Sequence, residues 1–214
     1  GGSLDVMDDA KAKQYYHLFY AMTYLMPILG AWIADTFLGK FKTIIIFSII
    51  NILGLLALVV DQTSTGLTAG LILIAVGSGF IKPCVSANVG DQFGEHNKHL
   101  ISKVYGWFYF AINFGATFSY ILIPKLRDLY GPRIAFSIPV VSMLVATMVF
   151  WMGRKRFVHA PPAGIKHVKE SLTGDGIVIL GRLGVLFLFI AMFWALFTQM
   201  DSSLFLLARQ MDLE

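Results

Sequence analysis

Six long apolar stretches alternate with short polar segments along the chain. A helix needs about 20 mostly apolar residues to cross the hydrocarbon core of a bilayer, and each stretch has roughly that length. The pattern therefore predicts an all-α membrane protein with about six transmembrane helices. The predicted spans are residues 15–38, 43–60, 67–89, 102–124, 133–152 and 177–199.

The longest polar segment, residues 153–175, contains Pro161, Pro162 and Gly164. A linker of this composition is where a boundary between two helical bundles is expected. We therefore predict three parts, namely a helical bundle over 1–152, a cytoplasmic linker over 153–176 and the first helix of a second bundle over 177–214.

The composition supports a membrane location. Of the 214 residues 57% are hydrophobic and only 14% are charged, which is not the composition of a soluble domain. The net charge of +4 bears on orientation, because loops rich in Lys and Arg stay in the cytoplasm. The basic residues are scattered over loops, so we expect a lipid bilayer and no nucleic acid as a partner. The loops predicted to be cytoplasmic hold Lys40, Lys42, Lys98, Lys103, Arg154, Lys155, Arg156, Lys166 and Lys169.

One charged residue, Lys82, lies inside the third apolar stretch and is followed by Pro83. A charge at the centre of a membrane helix costs roughly 2.5–3.5 kcal/mol on insertion scales, so it normally faces a water-filled cavity or a partner. Ser78 and Ser86 share its helix face. The alternative is that the lysine extends to a nearby interface. Lys82 is therefore our first candidate for a solute-binding residue.

The segment after the first span has a regular pattern of glycines and charges. Two glycines allow close helix packing and a tight turn, and an acidic residue at the helix end can pair with a base or cap a neighbouring helix. The alternative is an ordinary helix end with basic loop residues. The pattern resembles the signature loop of the major facilitator superfamily, and it consists of Gly30, Asp35, Gly39, Lys40 and Lys42.

Four segments together resemble the proton-coupled oligopeptide transporter family: PILGAWIADTFLGKFKTI, GFIKPCVSANVGDQF, FYFAINFGA and MFWALF. The family has the major facilitator fold, in which twelve helices form two six-helix halves. The resemblance implies that this chain corresponds to helices 2 to 7 and that the remainder of the same transporter is its partner. The first residue is not Met, so we expect a fragment of a longer protein.

On the first span, His17 and Tyr24 lie on one helix face. His17 can titrate near neutral pH, and the resemblance implies a role for it in proton coupling and for Tyr24 in the peptide site. His17 at the membrane interface is the alternative. The resemblance also places Lys82 in the peptide cavity, where its ammonium would bind the peptide carboxylate and take part in proton coupling.

On the fourth span, polar residues recur at four-residue intervals, and among them Asn113 matches a peptide-contacting asparagine of the family. Hydrogen bonding between helices is the alternative. On the last span, Trp194 would form an apolar wall of the site, or else would simply pack. Here the sequence departs from the family, because Thr198 replaces a common acidic residue. We hypothesise that Asp201, on the same helix face, takes over its gating role.

The predicted function is symport of di- and tripeptides with protons by alternating access. Asp35 and the loop residues Gly30, Gly39, Lys40 and Lys42 would form the cytoplasmic gate. No cofactor other than protons and no metal is expected. The E-x-x-E-R motif of the family, on its first helix, is not in this sequence. The expected location is the plasma membrane or the bacterial inner membrane.

Three alternatives stay open. The same fold could move another small solute such as nitrate. A channel would need a continuous polar lining, against which the gating loop argues. A membrane enzyme is disfavoured, because the sequence has no nucleophile–base set, no HExxH and no phosphate-binding loop.

Overall fold

A computed structural model of the chain describes residues 9–61, 63–165 and 173–197. Within these ranges, six helices are long and apolar enough to cross a membrane, which confirms the predicted number. They are α1 (Asp9–Ile33), α2 (Lys40–Val60), α3 (Ser64–Gly90), α4 (Ile101–Tyr130), α5 (Pro132–Met152) and α6 (Asp175–Phe197).

The helix bounds differ from the prediction at two points. Residues Ala34–Leu38 form a π-helical turn after α1, and only Gly39 separates this turn from α2. The fourth helix does not end at Pro124 but continues to Tyr130. Proline is tolerated inside membrane helices, where neighbouring groups can bond the freed carbonyls, and Gly131 with φ 84° ends α4 instead.

The helix α3 lies at the centre of the packing. Its most extensive contact is with α2, and it also packs against α1, whereas α5 packs on α2 and α4 packs on α5. Glycines allow the close approach of these helices. A Cβ on Gly77 would lie 2.7 Å from the Asn51 side chain on α2, and one on Gly79 would collide with Met26 on α1.

Polar side chains are buried among these helices and bond to the backbone. The Asn51 amide donates to the Ile74 carbonyl at 3.3 Å, which joins α2 to α3. The Thr43 hydroxyl donates to the Gly39 carbonyl at 3.0 Å. Because lipid offers no hydrogen-bond partners, polar groups in a membrane bundle are satisfied internally. The Asn51 bond therefore stabilises the α2–α3 pair, whose apolar contacts include the stacked rings of Phe47 and Phe80, and the Thr43 bond stabilises the start of α2.

The chain divides into two compact units, one ending at Ala163 and the other starting at Gly164. The first unit contains α1 to α5. The second contains α6, in which none of the residues 176–193 is buried. The three parts 1–152, 153–176 and 177–214 stay a prediction.

Candidate functional site

Lys82 lies within α3 and its side chain is exposed. The two serines on the same helix face bond to the backbone, with Ser86 donating to the Lys82 carbonyl at 3.4 Å and Ser78 to the Ala75 carbonyl at 3.5 Å. In the part of the chain that the structure describes, the Lys82 ammonium forms no salt bridge. A membrane-embedded cation in this position requires water or an anion beside it.

Tyr105 joins α4 to α3 near the loop that connects them. Its hydroxyl donates to the Ser86 carbonyl at 2.8 Å, and a Cβ added to Gly90 would lie 3.0 Å from the same hydroxyl. Tyr105 begins the row of polar residues that recur at four-residue intervals on α4, and in the structure it contacts the neighbouring helix.

Two further polar residues of α4, Asn113 and Thr117, bond within their own helix. The Asn113 amide donates to the Tyr109 carbonyl at 2.8 Å, and the Thr117 hydroxyl donates to the Asn113 carbonyl at 2.9 Å. All three side chains are exposed. Since Asn113 carries a second amide hydrogen and an amide oxygen, it retains groups that can bond to a solute.

Lys82 and Asn113 each lie farther from the α3–α4 loop than this contact does. With a rise of about 1.5 Å per residue, Lys82 lies about 6 Å from Ser86 along α3, and Asn113 lies about 12 Å from Tyr105 along α4.

Tyr24 lies on α1, which packs against α3. Two residues further along α1, Met26 contacts Gly79 of α3. Tyr24 is 58% exposed, and its hydroxyl lies 3.3 Å from that of Tyr20. His17 is also exposed, but it precedes Tyr24 by about two helical turns, roughly 10 Å along the axis, so the structure does not bring the two together.

The signature loop has a tight geometry. Gly39 is buried with φ 77°, a conformation that side-chain-bearing residues rarely adopt. Lys40 forms a salt bridge with Asp91, at 2.9 Å and 2.7 Å from the two carboxylate oxygens. Lys42 is exposed, and so is Asp35, whose backbone carbonyl accepts a hydrogen bond from the Ala163 amide at 2.8 Å.

Asp91, which the sequence analysis does not single out, is the partner of Lys40. Asp35, the acidic residue that the sequence pattern indicates at this end of the bundle, forms no salt bridge among the described residues. The sequence does contain one indication of this pair. Asp91 directly follows α3, and the end of α3 is expected at the same side of the membrane as the basic residues of the signature loop.

Two predicted site residues cannot be placed. Trp194 belongs to α6, but its side chain lies outside the described part. Asp201 lies outside the described residues altogether.

Six helices long and apolar enough to cross a membrane, in an arrangement that matches solved transporters of the major facilitator fold, define a multi-pass integral membrane protein with part of that fold. A family model described as "POT family" matches residues 41–173. The chain therefore belongs to the POT family.

Individual relatives agree with this assignment. Solute carrier family 15 member 2 of Oryctolagus cuniculus is 42% identical over an alignment that covers 70% of this chain and 22% of that protein. Peptide transporter family 1 of Drosophila melanogaster is 32% identical, covering 96% and 34%. The crystal structure of an auto-inhibited POT family peptide transporter matches with a TM-score of 0.69 and 46% identity, covering 72% and 30%. The chain thus spans between about a fifth and a third of the length of these relatives.

Proposed function

We propose that the full transporter to which this chain belongs carries di- and tripeptides across the membrane together with protons. The observation that carries the proposal is the exposed Lys82 within α3, together with the exposed polar residues Tyr24 on α1 and Asn113 on α4. Membership in the POT family supports the substrate class, because relatives and solved neighbours bear the name of peptide transporters.

The three side chains offer complementary chemistry to a short peptide. The Lys82 ammonium is a compact positive charge that attracts the terminal carboxylate. The Asn113 amide can both donate to and accept from a peptide bond, and the Tyr24 hydroxyl can do the same. Trp194 would add an apolar wall for side chains. These groups bind the terminal carboxylate and the peptide bonds, which all short peptides share, so they suit a transporter that accepts peptides of many sequences. Binding involves no covalent step.

Alternating access requires the two bundles to rock around a central site. The signature loop lies at one end of the first bundle, where Asp35 and Lys42 are exposed and available to contact the other bundle. We assign the cytoplasmic gate to this loop. The Lys40–Asp91 pair keeps the loop fixed to α3, so that a change near Lys82 reaches the gate through one rigid helix.

Proton coupling is assigned to Lys82, His17, Asp35 and Asp201. A lysine in a membrane cavity can respond to a nearby acidic group and to the substrate carboxylate. Asp201 takes over the role of the acidic residue that many family members have at the position of Thr198. Asp201→Asn is expected to abolish uptake driven by a proton gradient while preserving exchange of peptide at equal pH. Unchanged gradient-driven uptake would remove Asp201 from the mechanism.

A transporter of a small inorganic anion such as nitrate is the second candidate, because Lys82 would attract any anion. The two candidates differ in what Asn113 and Tyr24 contribute, since a small anion has no peptide bond for them to recognise.

The deciding experiment uses the full transporter in proteoliposomes. Uptake of labelled dipeptide and of labelled nitrate is followed with an inward proton gradient. We expect peptide uptake in the wild type and its loss in Lys82→Ala. Lys103→Ala, which removes an exposed lysine at the start of α4, is the matched control and should retain uptake. Uptake of nitrate alone would overturn the peptide assignment, and peptide uptake in Lys82→Ala would remove Lys82 from the site.

A further inference from the structure

Residues 157–163, which we call the strap, follow α5 and cross the cytoplasmic end of the first unit. They are exposed or half-buried, yet they are held at several points by hydrogen bonds and ring contacts. None of the roles assigned above uses these residues.

Gln92 makes the central attachment of the strap. Its side-chain oxygen accepts from the Val158 amide at 2.8 Å, and its side-chain nitrogen donates to the Val158 carbonyl at 3.2 Å. The same nitrogen donates to the Asn88 carbonyl at 3.0 Å. Both amide hydrogens and the oxygen of Gln92 are therefore used, and no shorter or apolar side chain can make this set of bonds.

Gln92 is itself held in place by its neighbours. It follows Asp91, which is paired with Lys40. The backbone carbonyl of Gln92 accepts from the Asn97 side chain at 3.2 Å, while Asn97 in turn accepts from the Gly94 amide at 2.7 Å. The strap is thus attached to a turn of fixed geometry at the end of α3.

The other end of the strap is attached to the signature loop. The Ala163 amide donates to the Asp35 carbonyl at 2.8 Å. Between the two ends, the ring of His159 lies edge-on to Phe41 with centroids 4.8 Å apart. A Cβ on Gly39 would lie 3.6 Å from the Ala160 carbonyl oxygen, so the strap covers the turn that has positive φ.

The end of α3, the strap and the signature loop are therefore connected pairwise. Asp91 and Lys40 connect α3 to the loop, and Gln92 and Val158 connect α3 to the strap. Ala163 and Asp35 connect the strap to the loop. The first compact unit ends at Ala163, and the next residue, Gly164, has φ 79°. The freedom of glycine at such a position makes it a natural hinge.

We propose that Gln92 is a positioning residue that fixes the strap to the Lys82 helix, so that the strap and the signature loop move with α3 as one body up to Ala163. This inference rests on the proposed function, since it concerns which residues move together during transport.

The test measures the position of the strap directly in the full transporter, reconstituted in lipid. Spin labels at Ala160 and Glu95, two exposed positions, report the distance between the strap and the end of α3. We expect one narrow distance distribution, unchanged by peptide or by a proton gradient. In Gln92→Met, which keeps the length of the side chain but removes its hydrogen bonds, the distribution should broaden. Gln14→Met, an exposed glutamine on α1, is the control and should leave it narrow.

Hydrogen exchange and transport complete the test. The Val158 amide should exchange about fivefold faster in Gln92→Met, as expected for the loss of a typical hydrogen bond. Peptide uptake should show a lower kcat with an unchanged KM, because the solute site is untouched. If Gln92→Met does not fold, Ala163→Pro removes the amide that binds Asp35 and should also broaden the distribution.

A wild-type distance that shifts when peptide is added, or a narrow distance in Gln92→Met, overturns the inference. Wild-type protein that keeps the narrow distance but takes up no peptide refutes the proposed substrate and supports the strap, so the two failures are distinguishable.

Discussion

The Nζ of Lys40 lies 2.7 Å and 2.9 Å from the two carboxylate oxygens of Asp91, and this pair joins the first residue of α2 to the residue after α3. Both side chains are about one quarter exposed, so water screens the attraction only in part. The pair connects the signature loop to the helix that carries Lys82.

We expect this pair to stabilise the bundle by about 1 kcal/mol, the upper end of what exposed ion pairs contribute. A double-mutant cycle with Lys40→Gln and Asp91→Asn, measured by equilibrium unfolding in mixed micelles, gives the coupling free energy. A coupling near zero would mean that the loop is held by its backbone bonds alone. The exposed pair Lys98 and Glu95 is the control, and it should show a smaller coupling.

Close packing at the α1–α3 crossing leads to a second prediction. A Cβ on Gly30 would lie 2.6 Å from the Cα of Phe80, which is backbone and cannot move aside by a change of rotamer. Gly30→Ala should therefore destabilise the protein by about 1–3 kcal/mol, the usual cost of overpacking. Gly106→Ala on α4 is the matched control, because nothing lies within 4 Å of the added Cβ. Equal stability of the two variants would show that α1 can shift relative to α3.

The sequence predicts the helices well, and the physical reason is the uniform rule that the bilayer imposes. Any helix that crosses it must be apolar over roughly the same length, so the number of helices follows from hydropathy. The end of α4 is predicted less well. Either Pro124 or Gly131 could end the helix, and hydropathy alone does not distinguish between these two residues.

The candidate site could be predicted only where chemistry is unusual for its surroundings. Lys82 is conspicuous because a charge in a membrane helix is rare. Asp91 and Gln92 are ordinary polar residues in a loop, and their importance depends on partners far away in the chain. Lys40 and Val158 become visible as those partners only once the helices are packed.

The start of α3 leads to a prediction about pH. Hydrogen bonds from the Thr63 hydroxyl and amide lower the pKa of Asp61 below its usual value of 3.8; the amide bond measures 2.9 Å. A lowered folded-state pKa means that the stabilisation is present above that usual value and is lost as the pH falls through the folded pKa. Thr63→Val should raise the Asp61 pKa toward 3.8, as measured by NMR titration, because one of the two bonds is removed.

Thr63 also caps α3, since its side-chain oxygen accepts from the Gly66 amide at 3.3 Å. Thr63→Val should therefore cost about 1 kcal/mol of stability at neutral pH, whereas Thr63→Ser should cost little. An unchanged Asp61 pKa in Thr63→Val would show that the backbone amide alone sets it.

Variants of two polar residues of α4, Tyr105 and Asn113, should separate helix packing from solute binding. The Tyr105 hydroxyl is bonded to the Ser86 carbonyl, so Tyr105→Phe leaves that carbonyl without its partner on α4 and should cost about 1 kcal/mol of stability. Its KM for peptide should be unchanged, because Tyr105 lies about 12 Å below Asn113 along α4.

Asn113→Leu should change the KM for peptide and leave the stability nearly unchanged. In the described structure the Asn113 amide bonds only within α4, and the side chain is exposed. We expect a stability close to that of the wild type and a KM raised about tenfold, the effect of losing one hydrogen bond to the solute at roughly 1.4 kcal/mol. Thr117→Val, one turn further along the same face, is the matched control. A raised KM in Tyr105→Phe together with an unchanged KM in Asn113→Leu would move the binding site toward the start of α4 and away from Asn113.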